Sequence, residues 1–209
     1  MRLDLEHHRR HPWRVHDLLD DFTVDEVWAY PIKADPAAGE DFAMFCSLAG
    51  GDDTAPGGAA GALIALREFL GRVFGWDEGD DARPIPGCTE TSLRDRLPEA
   101  ERDQPTEPDG AFGFSLVYQD DTERLVELGN ATVHAALHVG WVEHADGSAG
   151  AEMAVYWKPR GWFGRLYMAL IAPFRVFVVY PALMRKIRAD WERLRRDRPA
   201  APEDVQAAC

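Results

Sequence analysis

Cysteine is scarce in this chain of 209 residues: Cys46, Cys88 and Cys209 stand 42 and 121 residues apart, with no Cys-x-x-Cys pair. That excludes a disulfide scaffold and a zinc ribbon, and reduced thiols are the plain reading. Basic residues are also in deficit, 23 against 36 acids, for a net charge of −13. A surface of that sign repels phosphate backbones, so no nucleic-acid partner is expected. No segment repeats at a fixed period, which excludes solenoids and propellers. Met1 to His11 has no apolar stretch, so neither a secretory signal nor a transit peptide is read there, and a cytoplasmic protein is expected. Long uncharged runs are missing too. In Trp162 to Met184 none exceeds nine residues, short of the roughly 20 a membrane span needs, so the reading is a buried helix.

Hydrophobic residues at 46% and charged residues at 28% indicate a globular chain that folds around a core of its own. We expect an N-terminal arm over 1–23, one domain over 24–196 with a long loop at 77–110, and a disordered tail over 197–209. A strand over Val24–Tyr30 ends at Pro31. Asp41 caps a short helix, and Leu63, Leu66, Phe69, Leu70 and Val73 predict a second over Ala62–Phe74 after a Gly-rich link. A turn of helix is expected at Ser92–Leu97. Four strands follow, Phe112–Gln119, Glu123–Gly129, Thr132–His144 and Ala151–Lys158. Asp120-Asp121-Thr122, Asn130 and Ala145-Asp146-Gly147-Ser148 supply the turn chemistry between them. Trp162–Arg196 reads as a long helix that Pro173 and Pro181 bend or break. This order gives an α+β fold: a curved antiparallel sheet wrapped around a long C-terminal helix, with two short helices after the first strand. That is a helix-grip arrangement, able to hold an apolar cavity between sheet and helix.

Charge is unevenly placed. Residues 1–157 carry −19, residues 158–198 carry +8, and the tail adds −2. A basic helix on an acidic body either docks internally or meets an anionic partner, and the internal reading is preferred. Peripheral membrane contact through Trp162 and Phe163 with Lys158, Arg160 and Arg165 is the lesser alternative. A homo-oligomer stays open.

His134 and His138 are the most attractive chemistry. On a strand their rings stand roughly 13 Å apart on one face, too far to share one metal ion. No HExxH, GxSxG or strand-borne GxGxxG motif is present, so no metal and no cofactor is expected. Depending on strand register, their neighbours are Glu152, Ala154, Tyr156 and Lys158, or Met153, Val155 and Trp157. A His, Glu, Tyr set could move protons on a bound carbonyl or enol, which makes His134, His138, Glu152 and Tyr156 the catalytic candidates. His7, His8, His11 and His16, near the terminus, read as solvated or capping residues.

Several segments are distinctive together: His11-Pro-Trp-Arg-Val-His16, Asp25-Glu-Val-Trp28, Gly75-Trp-Asp77, Leu93-Arg-Asp-Arg-Leu-Pro98, Asn130-Ala-Thr-Val-His134, His138-Val-Gly-Trp141, Ala154-Val-Tyr-Trp-Lys-Pro159 and Gly164-Arg-Leu-Tyr-Met168. Pro173-Phe-Arg175, Tyr180-Pro-Ala-Leu-Met-Arg185 and Trp191 continue the pattern. The chain resembles, over nearly its whole length, the bacterial domain-of-unknown-function family numbered twenty-eight sixty-seven. That family looks like part of the START and polyketide-cyclase (SRPBCC) superfamily. The resemblance implies a helix-grip fold but no catalytic residues. Trp157 departs from the smaller β-branched residue expected there, which bears on the volume of any cavity. Three functions are weighed. One is a module binding a small, mainly apolar ligand among Phe114, Leu116, His134, His138, Tyr156, Tyr167 and Met168. The second is a cyclase or isomerase using the His pair. The third is an interaction or oligomerisation module, whose mark is a filled interior with an exposed aromatic patch near Trp162 or Trp141.

Overall fold

The computed structural model describes residues 1–48, 83–103, 108–109 and 114–198. The expected link at 50–61, the helix at 62–74, parts of the 77–110 loop and the tail from 199 lie outside the described residues. Arg2–Leu3 (β1), Thr23–Ala29 (β2), Pro108–Asp109 (β3), Phe114–Gln119 (β4), Glu123–Gly129 (β5), Val133–Glu143 (β6) and Ala149–Pro159 (β7) form one sheet in the order β1-β2-β7-β6-β5-β4-β3. All pairings are antiparallel. The chain therefore lays β2 down early and returns to it with β7 after a meander.

The turns close as their residues dictate. Asp120 Oδ1 accepts from the Thr122 and Glu123 amides, Asn130 Oδ1 from the Thr132 and Val133 amides, and Asp146 Oδ1 from the Ser148 amide. Each Asx side chain mimics a backbone turn and ends one strand where the next begins. Asp41 caps α3 (Phe42–Cys46) by accepting from the Met44 amide. The turn expected at Ser92–Leu97 is a 3-10 helix over Leu93–Arg96 closed by a Ser92/Asp95 capping box, and α4 (Glu99–Arg102) follows it.

The sheet is covered on both faces. On one lie α5 (Gly161–Phe174), a π-helical turn (Arg175–Val179) and α6 (Tyr180–Asp197), which run on as a single helix. The expected break at the two prolines is thus a change of winding. Pro181 lacks the amide hydrogen that would continue the helical ladder, and the π-helical turn just before it is where the winding changes. Tyr180, Met184 and Trp191 pack with Phe42, Phe45, Met153 and Val155. Nearer the start of the helix, Tyr167 and Met168 pack on Val133, with Trp157, Ala135 and Ile171 against them. Trp157 thereby occupies the space where a cavity was expected. Gly164 lets α5 approach: a Cβ there would stand 2.1 Å from the Thr132 carbonyl oxygen.

The other face is covered from the N-terminus. Residues 2–22, within the expected arm, form β1, α1 (Leu5–Arg10) and α2 (Val15–Leu18). Trp13, Val15, Leu18, Leu19 and Phe22 are buried there with Ile85, Leu93 and Leu97 from the 83–103 segment. Asp21 pins the layer by accepting from Arg96 and Lys158. A sheet with a helix on one side and polar hairpins on the other would leave this face wet, so the arm completes the core.

Candidate functional site

Register decides what the two strand histidines meet. Ala136 pairs with Tyr156 and His138 with Ala154, so His134, His138, Glu152 and Tyr156 share the arm-covered face. The four catalytic candidates do lie on one side. Leu116 pairs with Val126, Val126 with Leu137 and Leu137 with Val155, which puts Leu116, and by alternation Phe114, on the helix-covered face with Tyr167 and Met168. The seven residues expected to line one cavity are thus divided between the two faces. They cannot line a single volume between sheet and helix.

On the arm side a polar network runs through the core. Glu123 accepts from the Arg14 amide at 2.8 Å, the Tyr118 hydroxyl at 2.8 Å and His138 Nε2 at 3.0 Å. Four residues on, Glu127 accepts from the Leu93 amide at 2.9 Å, the Ser92 hydroxyl at 2.5 Å and His134 Nε2 at 2.7 Å. The same device is built twice. Each carboxylate on β5 holds a diagonal His on β6 and meets the amides at the start of one helical turn in the covering layer, where a negative charge is favoured. His8 Nε2 and the Tyr156 hydroxyl hydrogen-bond at 2.7 Å, and His16 Nδ1 lies 3.3 Å from the same hydroxyl. Trp13 lies over Gly140, whose missing Cβ would otherwise meet the indole at 2.7 Å.

Electrostatics follow burial. His8 is held down at about 3, chiefly by desolvation and then by His138 and His16. Burial also lowers His138, against the opposing pull of Glu123. For Glu123 burial acts upward, but the bonds from His138, Arg14 and Tyr118 outweigh it and the net direction is down. The pair is therefore a carboxylate with a neutral imidazole that donates from Nε2, leaving His138 Nδ1 as an acceptor without a partner among the described residues. His134 and His138 expose 2% and 1% of their surface. Each is bonded through Nε2 to a carboxylate that also takes an amide of the covering layer, an arrangement that clamps the layers together and encloses both rings.

Sequence reasoning missed Glu123 and Glu127. Their i, i+4 spacing on β5 repeats that of His134 and His138, and this match was the available signal. It also read the N-terminal histidines as solvated or capping, whereas His8 is buried and His7 Nε2 sits 2.9 Å from Glu152 Oε1. Two open surface concavities of about 450 and 430 Å³ lie beside α6, one lined by Gly39, Met44 and Arg198, the other by Glu40, Arg195 and Arg196. Neither contains an expected ligand residue.

A family model described as a protein of unknown function, DUF2867, matches residues 18–182. The chain belongs to the DUF2867 family. No curated protein and no solved structure matches it. The match begins at Leu18, so most of the arm that buries the DUF2867 histidines, including His8, Trp13 and Arg14, lies before the matched range.

The second candidate surface of this DUF2867 chain is outside the core. Trp162, Phe163, Leu166, Leu170, Phe174, Phe177 and Val178 are exposed on α5 and the π turn, with Trp162, Leu170 and Phe177 at 76%, 70% and 77%. Spacings of four, four, four and three from Trp162 to Phe177 put them along one side of the helix. Arg175, which interrupts the apolar run in the sequence, is turned inward to Asp25 and Glu26 on β2. The ion pair removes its charge from the outer row.

Proposed function

We propose that this protein is a peripheral module that docks on an anionic lipid surface through the outer face of α5 and the π turn. The observation that carries the proposal is the continuous exposed row from Trp162 to Val178, about 24 Å long at the helical rise. A patch of this kind on a finished fold marks an interaction site. By length and composition Gly161–Asp197 would suffice to cross a membrane. Its inner side, however, is committed to the sheet through Tyr167, Met168, Tyr180, Met184 and Trp191, so the helix lies on a surface and does not enter one end-on.

Charge selects the partner. No Asp or Glu occurs from Gly161 to Ala189, while Arg165 lies beside the row and Arg185 follows it; Lys186 and Arg188 beyond are paired with Asp190 and Glu192. A second copy would bring the same acid-free face against itself, which is not complementary. An anionic membrane offers both an apolar interior and phosphate. Half-burying five of the side chains is worth on the order of 5 kcal/mol, and each nearby base adds about 1 kcal/mol at an anionic surface.

Co-sedimentation with phosphatidylcholine vesicles, with and without phosphatidylglycerol, tests this. The protein binds the mixed vesicles, more weakly at high salt, and Leu170→Asp with Phe177→Asp abolishes binding while the circular dichroism stays unchanged. A concentration-dependent dimer that ignores vesicles would overturn the reading in favour of self-association. A monomer that ignores them would mean that the row is covered within the chain.

The ligand-cavity reading loses its shared volume to the division described above. The acid–base reading loses access, since both strand histidines are sealed and bonded.

A further inference from the structure

His7 and His11 project from α1 and its C-terminal cap toward Glu152 on β7, and one ligand atom from each lies within 4.8 Å of the others. We propose that these three side chains form a binding site for a divalent transition metal ion of the zinc type. The donor set is chemically apt: two imidazoles and one carboxylate are a common zinc ligand set, with a fourth position left to water.

A second observation points to the same place. Glu152 is 7% exposed, and while its Oε1 meets His7 Nε2 at 2.9 Å, its Oε2 is buried without a hydrogen-bond partner among the described residues. A buried carboxylate oxygen left bare costs free energy, and a cation is what would satisfy it. Ligand bonds of about 2.0–2.2 Å require the three atoms to draw in by roughly 1 Å from their widest separation. His7 and His11 are both half-exposed, and His11 sits outside the helix proper with its ring stacked on Trp13 and edge-on to His7, so the adjustment is a small turn of two surface rings. The ion sits against Glu152 Oε2, the oxygen that has no hydrogen-bond partner among the described residues. It ties α1 to β7 beside the His8–Tyr156 bond, with the open position facing solvent between the two exposed rings.

The site is independent of the membrane face, which lies across the sheet. Chelator-treated full-length protein is titrated with zinc sulfate in competition with a chromophoric chelator. One equivalent binds, and His7→Ala and His11→Ala each weaken it by at least about tenfold, the least that loss of an outer-shell group typically costs. His144→Ala, elsewhere on the surface, leaves it unchanged. Cobalt in place of zinc gives visible d–d absorption in the wild type that His11→Ala lacks. Because Glu152→Gln can impair folding, the partly exposed histidines carry the test. Failure to bind, or one-equivalent binding that survives in the His7→Ala/His11→Ala double variant, overturns the proposal.

Discussion

Replacing Glu123 by alanine removes the acceptor for four donors in one step, the Val15 amide at 3.4 Å being the weakest. The Arg14 amide at 2.8 Å, the Tyr118 hydroxyl at 2.8 Å and His138 Nε2 at 3.0 Å all end on that carboxylate. A hydrogen bond to a charged group is worth roughly 1.5–3 kcal/mol net, and each donor left bare in the core adds its own desolvation cost. The terms are not additive, so we take about 4 kcal/mol for the set. That is a large part of the about 5–15 kcal/mol that holds a typical domain folded. At about 2–4 °C per kcal/mol for a chain of this size, Tm falls by about 10 °C. The assay is urea and thermal unfolding followed by circular dichroism, with Glu101→Ala as the control. Glu101 meets the same Arg14 at 2.7 Å, but at the surface, and its loss costs less than about 1 kcal/mol. The first signature is faster amide exchange over residues 5–18. If Glu123→Ala loses no more stability than Glu101→Ala, the arm is not held by this carboxylate and the clamp reasoning is wrong.

Gly164→Ala places a methyl 2.1 Å from the Thr132 carbonyl oxygen, which also accepts the Arg160 amide. Backbone cannot give way as a side chain can, so α5 lifts and stability falls by about 3 kcal/mol in a denaturant melt; an unchanged midpoint would contradict the close approach. Acid acts in two steps. His138 is depressed below its ordinary 6.5, so the unfolded chain binds the extra proton first and stability falls as pH drops below that value toward the folded pKa. Glu123, depressed below its ordinary 4.5, adds a second loss as pH falls through its folded pKa. Tm measured against pH is flat above about pH 7 and declines below 6.5; a rise between pH 7 and 5.5 would refute the neutral-His assignment.

Local chemistry was legible in the sequence. Asp120, Asn130 and Asp146 marked the hairpins and Asp41 the helix start, because an Asx side chain acts within two or three residues of itself. The strand reading of β6 put His134 and His138 on one face, as the register has them. What covers each face was not legible. His8 meets Tyr156 across 148 residues and Arg14 meets Glu123 across 109, and no periodicity reports such pairings. Residues 149–156 of β7 are buried on both faces, so its own pattern could not say which side faced the C-terminal helix. The expected cavity rested on that choice. Trp157 alone hinted at the outcome, since a side chain of that size beside Val133 and Met168 fills the space.

The docking claim is tested most directly by fluorescence quenching from vesicles whose phosphatidylglycerol-containing bilayer carries brominated acyl chains. Trp162 is one of seven tryptophans, and it stands 76% exposed at the end of the apolar row. The account predicts quenching of a fraction of the emission that disappears in Trp162→Tyr, with the buried indoles of Trp13 and Trp191 unaffected. Emission that the brominated vesicles leave unchanged, in protein shown to be folded, would contradict it.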